Sequence, residues 1–236
     1  MDASGYVTLS RQSGLLNQMQ GIANNIANAS TNGFRREGMV FSEYVQAAGD
    51  APSLSMGFGN TRVVDLLQAG LTQTGGSFDL AIEGGGFFMI DTPQGQQLTR
   101  SGAFTPGPDG TLKTDDGYDV LDAGGSTIFV PPDARNVAVA QDGTVSADGV
   151  PLGQIGLWQP TDPLSLTHQS GTRFTASGVE PAAGGRVMQG YLEESNVDPL
   201  REVADMISVQ RAYELGQSFL DREDERARAV IQTLGR

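Results

Sequence analysis

His168 is the single histidine of the 236-residue chain, and cysteine is absent. Those two facts bound any side-chain chemistry. Without thiols there are no disulfides, thiolate metal sites or Cys nucleophiles. A lone imidazole needs a partner acid or nucleophile in a recognisable arrangement to act as a general base, and none is visible. His168 sits in Ser165-Leu166-Thr167-His168-Gln169-Ser170, a polar stretch that reads as a surface loop. One histidine and no cysteine also leave a transition-metal site short of ligands. The sequence therefore predicts no catalytic residue, no metal and no cofactor.

Two other patterns could bind ions. Carboxylates cluster at Asp115, Asp116, Asp119 and Asp122. A calcium loop would place acidic ligands at alternate positions and close on a glutamate, and that pattern is missing. Turns account for these aspartates better, because Asp-Gly recurs at Asp109-Gly110, Asp116-Gly117, Asp142-Gly143 and Asp148-Gly149, pairs that favour hairpins. Gly84-Gly85-Gly86 could suggest a phosphate cradle, yet neither Gly-Lys-Ser/Thr nor a helix pattern follows it. Phe87-Phe88-Met89-Ile90 follows instead, so the glycines serve a sharp turn or close backbone packing ahead of a strand.

Charge excludes further classes. A net charge of -13 argues against nucleic-acid backbones and anionic lipid, which need clustered Lys and Arg. Lys113 is the only lysine; the bias towards Arg fits planar pairing at interfaces and fits a GC-rich genome equally well. No stretch approaches the roughly 18 apolar residues of a membrane span. No basic segment followed by a short apolar core opens the chain, so no cleavable secretory signal is expected.

The elements that carry these residues follow from Gly and Pro. Residues 51–192 hold 24 of the 32 Gly and 10 of the 11 Pro, which leaves both ends free to be helical. In the N-terminal part Leu9, Leu16 and Ala23 fall seven apart, Met19 and Ile26 form a second row with Gln12 in the place before them, and Leu15 and Ile22 widen the stripe. The spacing predicts a helix from about Ser4 to Asn28, stopped by Asn28-Ala29-Ser30-Thr31-Asn32-Gly33. At the other end Asp198 suits an N-cap and Pro199 the first helical position. Met206, Tyr213, Leu220, Ala227 and Leu234 then repeat every seven residues, flanked by Val209 and Val230 and interrupted in the flanking row by Gly216 and Glu223. At ~1.5 Å per residue such a helix spans about 50 Å.

Short β-rich runs lie between: Phe87 to Ile90, Tyr118 to Leu121, Thr127 to Val130, Val137 to Gln141 and Ile155 to Trp158. The fold class is α+β, with N- and C-terminal α-helices forming a coiled coil and an intervening, mainly antiparallel β domain. The boundaries read as 1–33 for the first helix, 34–72 for an extended linker region, 73–192 for the β domain and 193–236 for the second helix. Periodicity alone also allows both helices to cover the β domain as ordinary packing. The wide stripes and the length of the second helix favour a bundle with each other and with neighbouring subunits.

Three motifs carry a resemblance. Ala23 to Arg36 reads ANNIANASTNGFRR, and Glu194 to Glu214 reads ESNVDPLREVADMISVQRAYE. Between them lie QTGGSFDLAIEGGGFFMI, from Gln73 to Ile90, and LTRSGAF, from Leu98 to Phe104. In this order they resemble the end signatures and central region of the flagellar axial proteins of the rod and hook. The resemblance implies export, unfolded, through the flagellar type III apparatus. It implies terminal helices coiled around a central channel with the β domain outside, and torque transmission from motor to hook. It places the chain in the basal body, in the periplasmic space after export. Its partners would be copies of itself, other rod proteins and the export apparatus, with no nucleic acid and no membrane insertion.

Carried over by position, Asn24, Asn25, Asn28, Thr31, Gly33 and Phe34 match the first signature, and Ser195, Asn196, Val197, Met206, Ile207, Gln210, Arg211, Ala212, Tyr213 and Glu214 the second. Their implied roles are packing, helix termination and polar contacts between subunits. The assembly face would comprise Leu9, Leu16, Met19, Ile22, Ile26, Met206, Tyr213, Leu220 and Leu234. Tyr6-Val7-Thr8-Leu9-Ser10-Arg11-Gln12 looks more like proximal rod subunits that carry a β domain, while Gln210 to Glu214 is equally at home in distal ones. A wall-cleaving enzyme is the rival class; it would need a positioned acid pair or a metal.

Overall fold

The two apolar stripes form the long helices α1, Ala3–Ala27, and α2, Pro199–Leu234. α2 starts where Asp198 caps it: the carboxylate accepts the Leu200 and Arg201 N–H groups at 3.0 and 3.3 Å, donors that no preceding turn can satisfy. The computed structural model describes the backbone of residues 3–48 and 51–234; the side chains of 3–7, 41–48, 51–61, 227, 230, 231, 233 and 234 lie outside the described residues. Ala227 and Leu234, the last members of the C-terminal repeat, are therefore not placed.

The chain divides into two compact units. The first holds α1, α2 and the segment Glu37–Val63. Its strands Glu37–Ala48 and Ala51–Val64 pair as a two-stranded sheet within the region read as an extended linker.

The second unit holds Asn28–Arg36 and Val64–Val197. Its sheets pair antiparallel throughout the described ladders. Phe87–Thr92 is the central strand, bonded to Gly95–Thr99 and to Asp119–Val120, with Leu157–Pro160 alongside. Successive side chains of a strand point to opposite faces. Phe88 and Ile90 enter one core with Leu80, Ile82, Phe104 and Ile155, while Phe87 and Met89 enter a second with Leu98, Leu121, Leu166 and Phe174. The unbroken apolar run FFMI is thus the mark of a strand covered on both faces. Each such side chain contributes roughly 1.5–3 kcal/mol on burial.

Two details differ from the sequence reading. Thr127 to Val130 makes isolated bridges to Leu121 and Thr111 rather than a strand. Of the four Asp-Gly pairs, Asp148-Gly149 alone has both residues at positive φ, 48° and 85°, the two-residue hairpin between Thr144–Ala147 and Val150–Gln154. At Gly110, Gly117 and Gly143 only the glycine is left-handed, which belongs to longer turns.

His168 is also not in a surface loop. It lies in the short strand Thr167–His168, paired with Arg173–Thr175, and its half-buried ring meets Phe34 and Phe174 edge-on at centroid distances of 5.3 and 4.9 Å. Its polar neighbours misled because adjacent strand residues face opposite ways, so the exposed Thr167 and Gln169 say nothing about position 168.

Candidate assembly site

In the first unit α1 and α2 run antiparallel, with Gln12 meeting Tyr213 and Asn25 meeting Glu202. Leu15, Ile22 and Val209 are buried between them, and Met19, Ile26, Met206, Ala212 and Tyr213 pack around that cluster. Leu15, Met19, Ile22 and Ile26 step along α1 by three and four, as one helix face must. Five residues of the expected assembly face are brought together here: Met19, Ile22, Ile26, Met206 and Tyr213. Leu9 and Leu16 are not; they stand 49% and 43% exposed on the far side of the stripe. Leu220 is half-buried beyond the cluster. Ile207, Leu215 and Phe219 add to the exposed apolar surface of α2.

A polar node closes one end of the pair. Asn25, fully buried, donates from Nδ2 to the Glu37 carbonyl at 2.9 Å and accepts the Glu37 N–H on Oδ1 at 2.9 Å. Its amide thus copies a strand's donor–acceptor pair for the chain that follows α1. Nδ2 also lies 3.1 Å from Glu202 Oε2, and Arg62 approaches the Glu37 carboxylate at 3.5 Å. One signature asparagine therefore ties α1, α2 and the strand Glu37–Ala48 together.

Of the other signature residues, Asn28, Thr31, Gly33, Phe34, Ser195, Asn196 and Val197 lie in the second unit. Asn28 follows α1 in a turn, accepting the Thr31 N–H at 3.1 Å on its carbonyl and the Thr31 hydroxyl at 3.2 Å on Oδ1. Gly33 has φ 72° and donates its N–H to the Glu193 carbonyl at 2.7 Å; a Cβ there would stand 2.3 Å from the Ser101 nitrogen. Phe34 is fully buried. Asn196 accepts the Arg36 N–H at 2.6 Å and donates to the carbonyls of Asp65 and Leu67 at 3.1 and 3.0 Å, clamping three strands of chain. Ser195 accepts the N–H of the buried Val197 at 3.3 Å.

Between these segments lies a buried ion triad. Glu193 accepts Arg35 Nη2 at 2.9 Å and Arg100 Nε at 2.5 Å, and its Oε1 also takes the Ala69 N–H at 2.9 Å. Arg100 donates onward to the carbonyls of Ile82, Gly84 and Gly86, and Arg35 to that of Leu67. Burial pushes Arg35 down to about 10, against the pull of Glu193. Gly84-Gly85-Gly86 is therefore a backbone cradle, and its ligand is a guanidinium of the same chain.

Asn24 is half-buried, while Gln210, Arg211 and Glu214 are exposed on α2, where Gln210 Nε2 donates to Glu214 Oε1 at 3.2 Å. Sequence reasoning missed Glu37, Glu193, Glu202 and Arg35. Nothing in Leu192-Glu193-Glu194 distinguishes the buried Glu193 from the exposed Glu194; only the pairing of Tyr191–Glu193 with Leu71–Gln73 does. Among the described residues no helix is long and apolar enough to cross a membrane, and no cluster of three His, Cys, Asp or Glu could hold a metal ion.

Two family models match the chain. Residues 81–147 match the flagellar hook protein FlgE/F/G D1 domain, and residues 188–233 match the C-terminal domain of the flagellar basal body rod FlgEFG proteins. The flagellar basal-body rod protein FlgF of Caulobacter vibrioides is 39% identical over all of this chain and 99% of its own length. FlgF of Mesorhizobium japonicum is 35% identical over the same shares. The rod protein FlgG of Bacillus subtilis is 34% identical over 93% of this chain and 94% of its own. With its signature residues placed and its whole length matched, this chain belongs to the family of flagellar basal-body rod proteins, structural components of the flagellar basal body.

Proposed function

We propose that the chain is a proximal rod subunit that assembles through α1 and α2 and transmits torque without catalysing a reaction. The observation that carries this is the apolar surface left open on the helix pair: Leu9, Leu16, Leu215 and Phe219 lie outside the cluster the two helices share. Exposed apolar surface of that kind marks an interaction face. In the rod, α1 and α2 coil with the helices of neighbouring subunits around the export channel. The chain reaches its place through the type III export apparatus. The proximal reading is supported by the FlgF relatives, which span the whole chain.

A specific observation also favours a distal subunit: FlgG relatives reach 33–34% identity over 90–93% of the chain. Electron microscopy of basal bodies from a strain lacking this gene separates the two. Assembly halting before any distal rod forms supports the proximal reading. Rods that reach full proximal length and stop there would assign the chain to the distal rod.

A further inference from the structure

Gln12 is a polar residue in the apolar stripe of α1. It is only 6% exposed, and its Oε1 has no hydrogen-bond partner. Its Nε2 donates to the Tyr213 carbonyl of α2 at 3.0 Å. A helix carbonyl is normally occupied by the N–H four residues on, and side chains crowd it. Here the crowding is removed, because Gly216 is the one glycine inside α2 and a Cβ on it would lie 2.5 Å from Gln12 Nε2. Leu15, Ala212 and Phe219 line the same groove.

Stability does not explain this arrangement. A buried amide oxygen without a donor is destabilising, and glycine is among the poorest helix formers. Leucine and alanine at the two positions would pack better. What the pair supplies is a single directional bond at one level of an otherwise apolar contact. An apolar seam lets one helix roll or splay against the other; one buried polar residue in such a seam fixes the pairing at a cost in stability. Asn25 holds the opposite end of the pair through Glu202, thirteen residues along α1, so the part of the pair around Gln12 depends on its own fastener.

We propose that Gln12, seated on Gly216, is the specificity-determining residue that fixes which faces of α1 and α2 meet in the outer half of the pair. It thereby sets which apolar side chains, Leu9 and Leu16 on α1 and Leu215 and Phe219 on α2, are presented together to a neighbouring subunit. The last step rests on the assembly role proposed above; the facing of the two helices does not.

The absence of cysteine allows spin labels to be placed cleanly in the full chain. One pair goes on the exposed positions Ser13 and Gln217, near Gln12, and a control pair on Ala23 and Ala204, near Asn25. In the parent chain both pulsed-EPR distance distributions are single. In Gln12→Met, and independently in Gly216→Ala, the Ser13–Gln217 distribution splits or broadens, because helices held at Asn25 can roll or splay at the other end but cannot slide. The Ala23–Ala204 distribution stays single. Helix content is retained, because Ala is the better helix former and Met conserves volume. In cells, both variants enter basal bodies poorly. An unchanged Ser13–Gln217 distribution overturns the proposal, because the apolar stripe then suffices. Equal broadening at both label pairs also overturns it and leaves Gln12 a packing residue. A changed Ser13–Gln217 distribution with normal incorporation overturns its link to assembly. If instead the parent chain itself fails to restore rods to a deletion strain, the rod reading fails and the distance result stands apart.

Discussion

Arg100 Nε lies 2.5 Å from Glu193 Oε2, with the two side chains 2% and 0% exposed. A pair this deep has given up its hydration and holds only because the remaining donors of the guanidinium and the remaining lone pairs of the carboxylate are met. Arg100 meets that condition with three carbonyls from Ile82, Gly84 and Gly86, and Glu193 with Arg35 and the Ala69 N–H. The triad ties the segment Asn28–Arg36, the glycine turn and the strand Tyr191–Glu193 to one another in the second unit. The ends of both signatures are fixed there by charge and not by apolar packing alone.

Glu193→Gln should therefore lower stability by roughly 3–5 kcal/mol, because it leaves two buried guanidinium groups facing one neutral amide. Trp158 is the only tryptophan and lies in this unit, so its fluorescence in a urea titration of the full chain reports the loss directly. A midpoint shift worth less than about 1 kcal/mol, the range of exposed pairs, would show that water reaches the triad.

Gly33 and Gly75 form a natural comparison. Both are left-handed, at φ 72° and 74°, but a Cβ at Gly33 meets the Ser101 nitrogen at 2.3 Å and one at Gly75 meets nothing within 4 Å. Gly75→Ala should cost only the backbone term, about 1–2 kcal/mol. Gly33→Ala adds a backbone clash that no rotamer relieves, and the second unit should fail to fold cooperatively. Comparable urea midpoints for the two variants would mean that the chain around Ser101 moves aside freely.

The contrast also shows what could be read from sequence. Both helices, the N-cap at Asp198 and the strand at Phe87 were visible because each is a local pattern: a period, a cap, an apolar run. Gly33 was read as part of a helix stop and by resemblance, and Asn25 by resemblance alone. Their contacts are to Ser101 and Glu202, far along the chain, and no local pattern encodes a partner that distant. The stripe of α1 was seen but not its centre. Leu9 and Leu16 fit the seven-residue repeat as well as Leu15 and Ile22 do, and only the position of α2 decides which are buried.

Calcium and chelator should leave the urea midpoint unchanged. The aspartates of the turns are already engaged within the chain: Asp119 takes Lys113 Nζ at 2.5 Å, and Asp109 takes the Thr111 hydroxyl at 2.8 Å. The Thr111 bonds hold the Asp109 carboxyl below its usual range, and those from Thr144 do the same for Asp142. A calcium-dependent rise in the midpoint would reveal a ligand set in these turns.

Amide exchange on the isolated chain should separate the two units. Among the described residues the α1–α2 cluster has three buried apolar side chains, whereas one core of the second unit has eleven. Helices gain most of their stability from such packing, so residues 8–27 should exchange much faster than Phe87–Thr92. Equal protection would show that the helix pair is stable without neighbours.

The assembly face makes the final prediction. Leu220 follows Met206 and Tyr213 in the seven-residue repeat but lies beyond the cluster those two join, half-buried on α2. Little in the lone chain depends on it, yet in the rod the same position recurs in every copy. Covering a leucine contributes roughly 1.5–3 kcal/mol, and an aspartate there must be desolvated as well. Leu220→Asp should therefore abolish motility and remove the subunit from basal bodies, while Trp158 fluorescence shows an unchanged urea midpoint for the purified full chain. Leu220→Met should swim normally, because it nearly conserves volume. Leu220→Asp cells that swim, with the subunit present in their basal bodies, would place Leu220 on a solvated face of the assembled rod and move the interface to Leu9, Leu16 and Leu215.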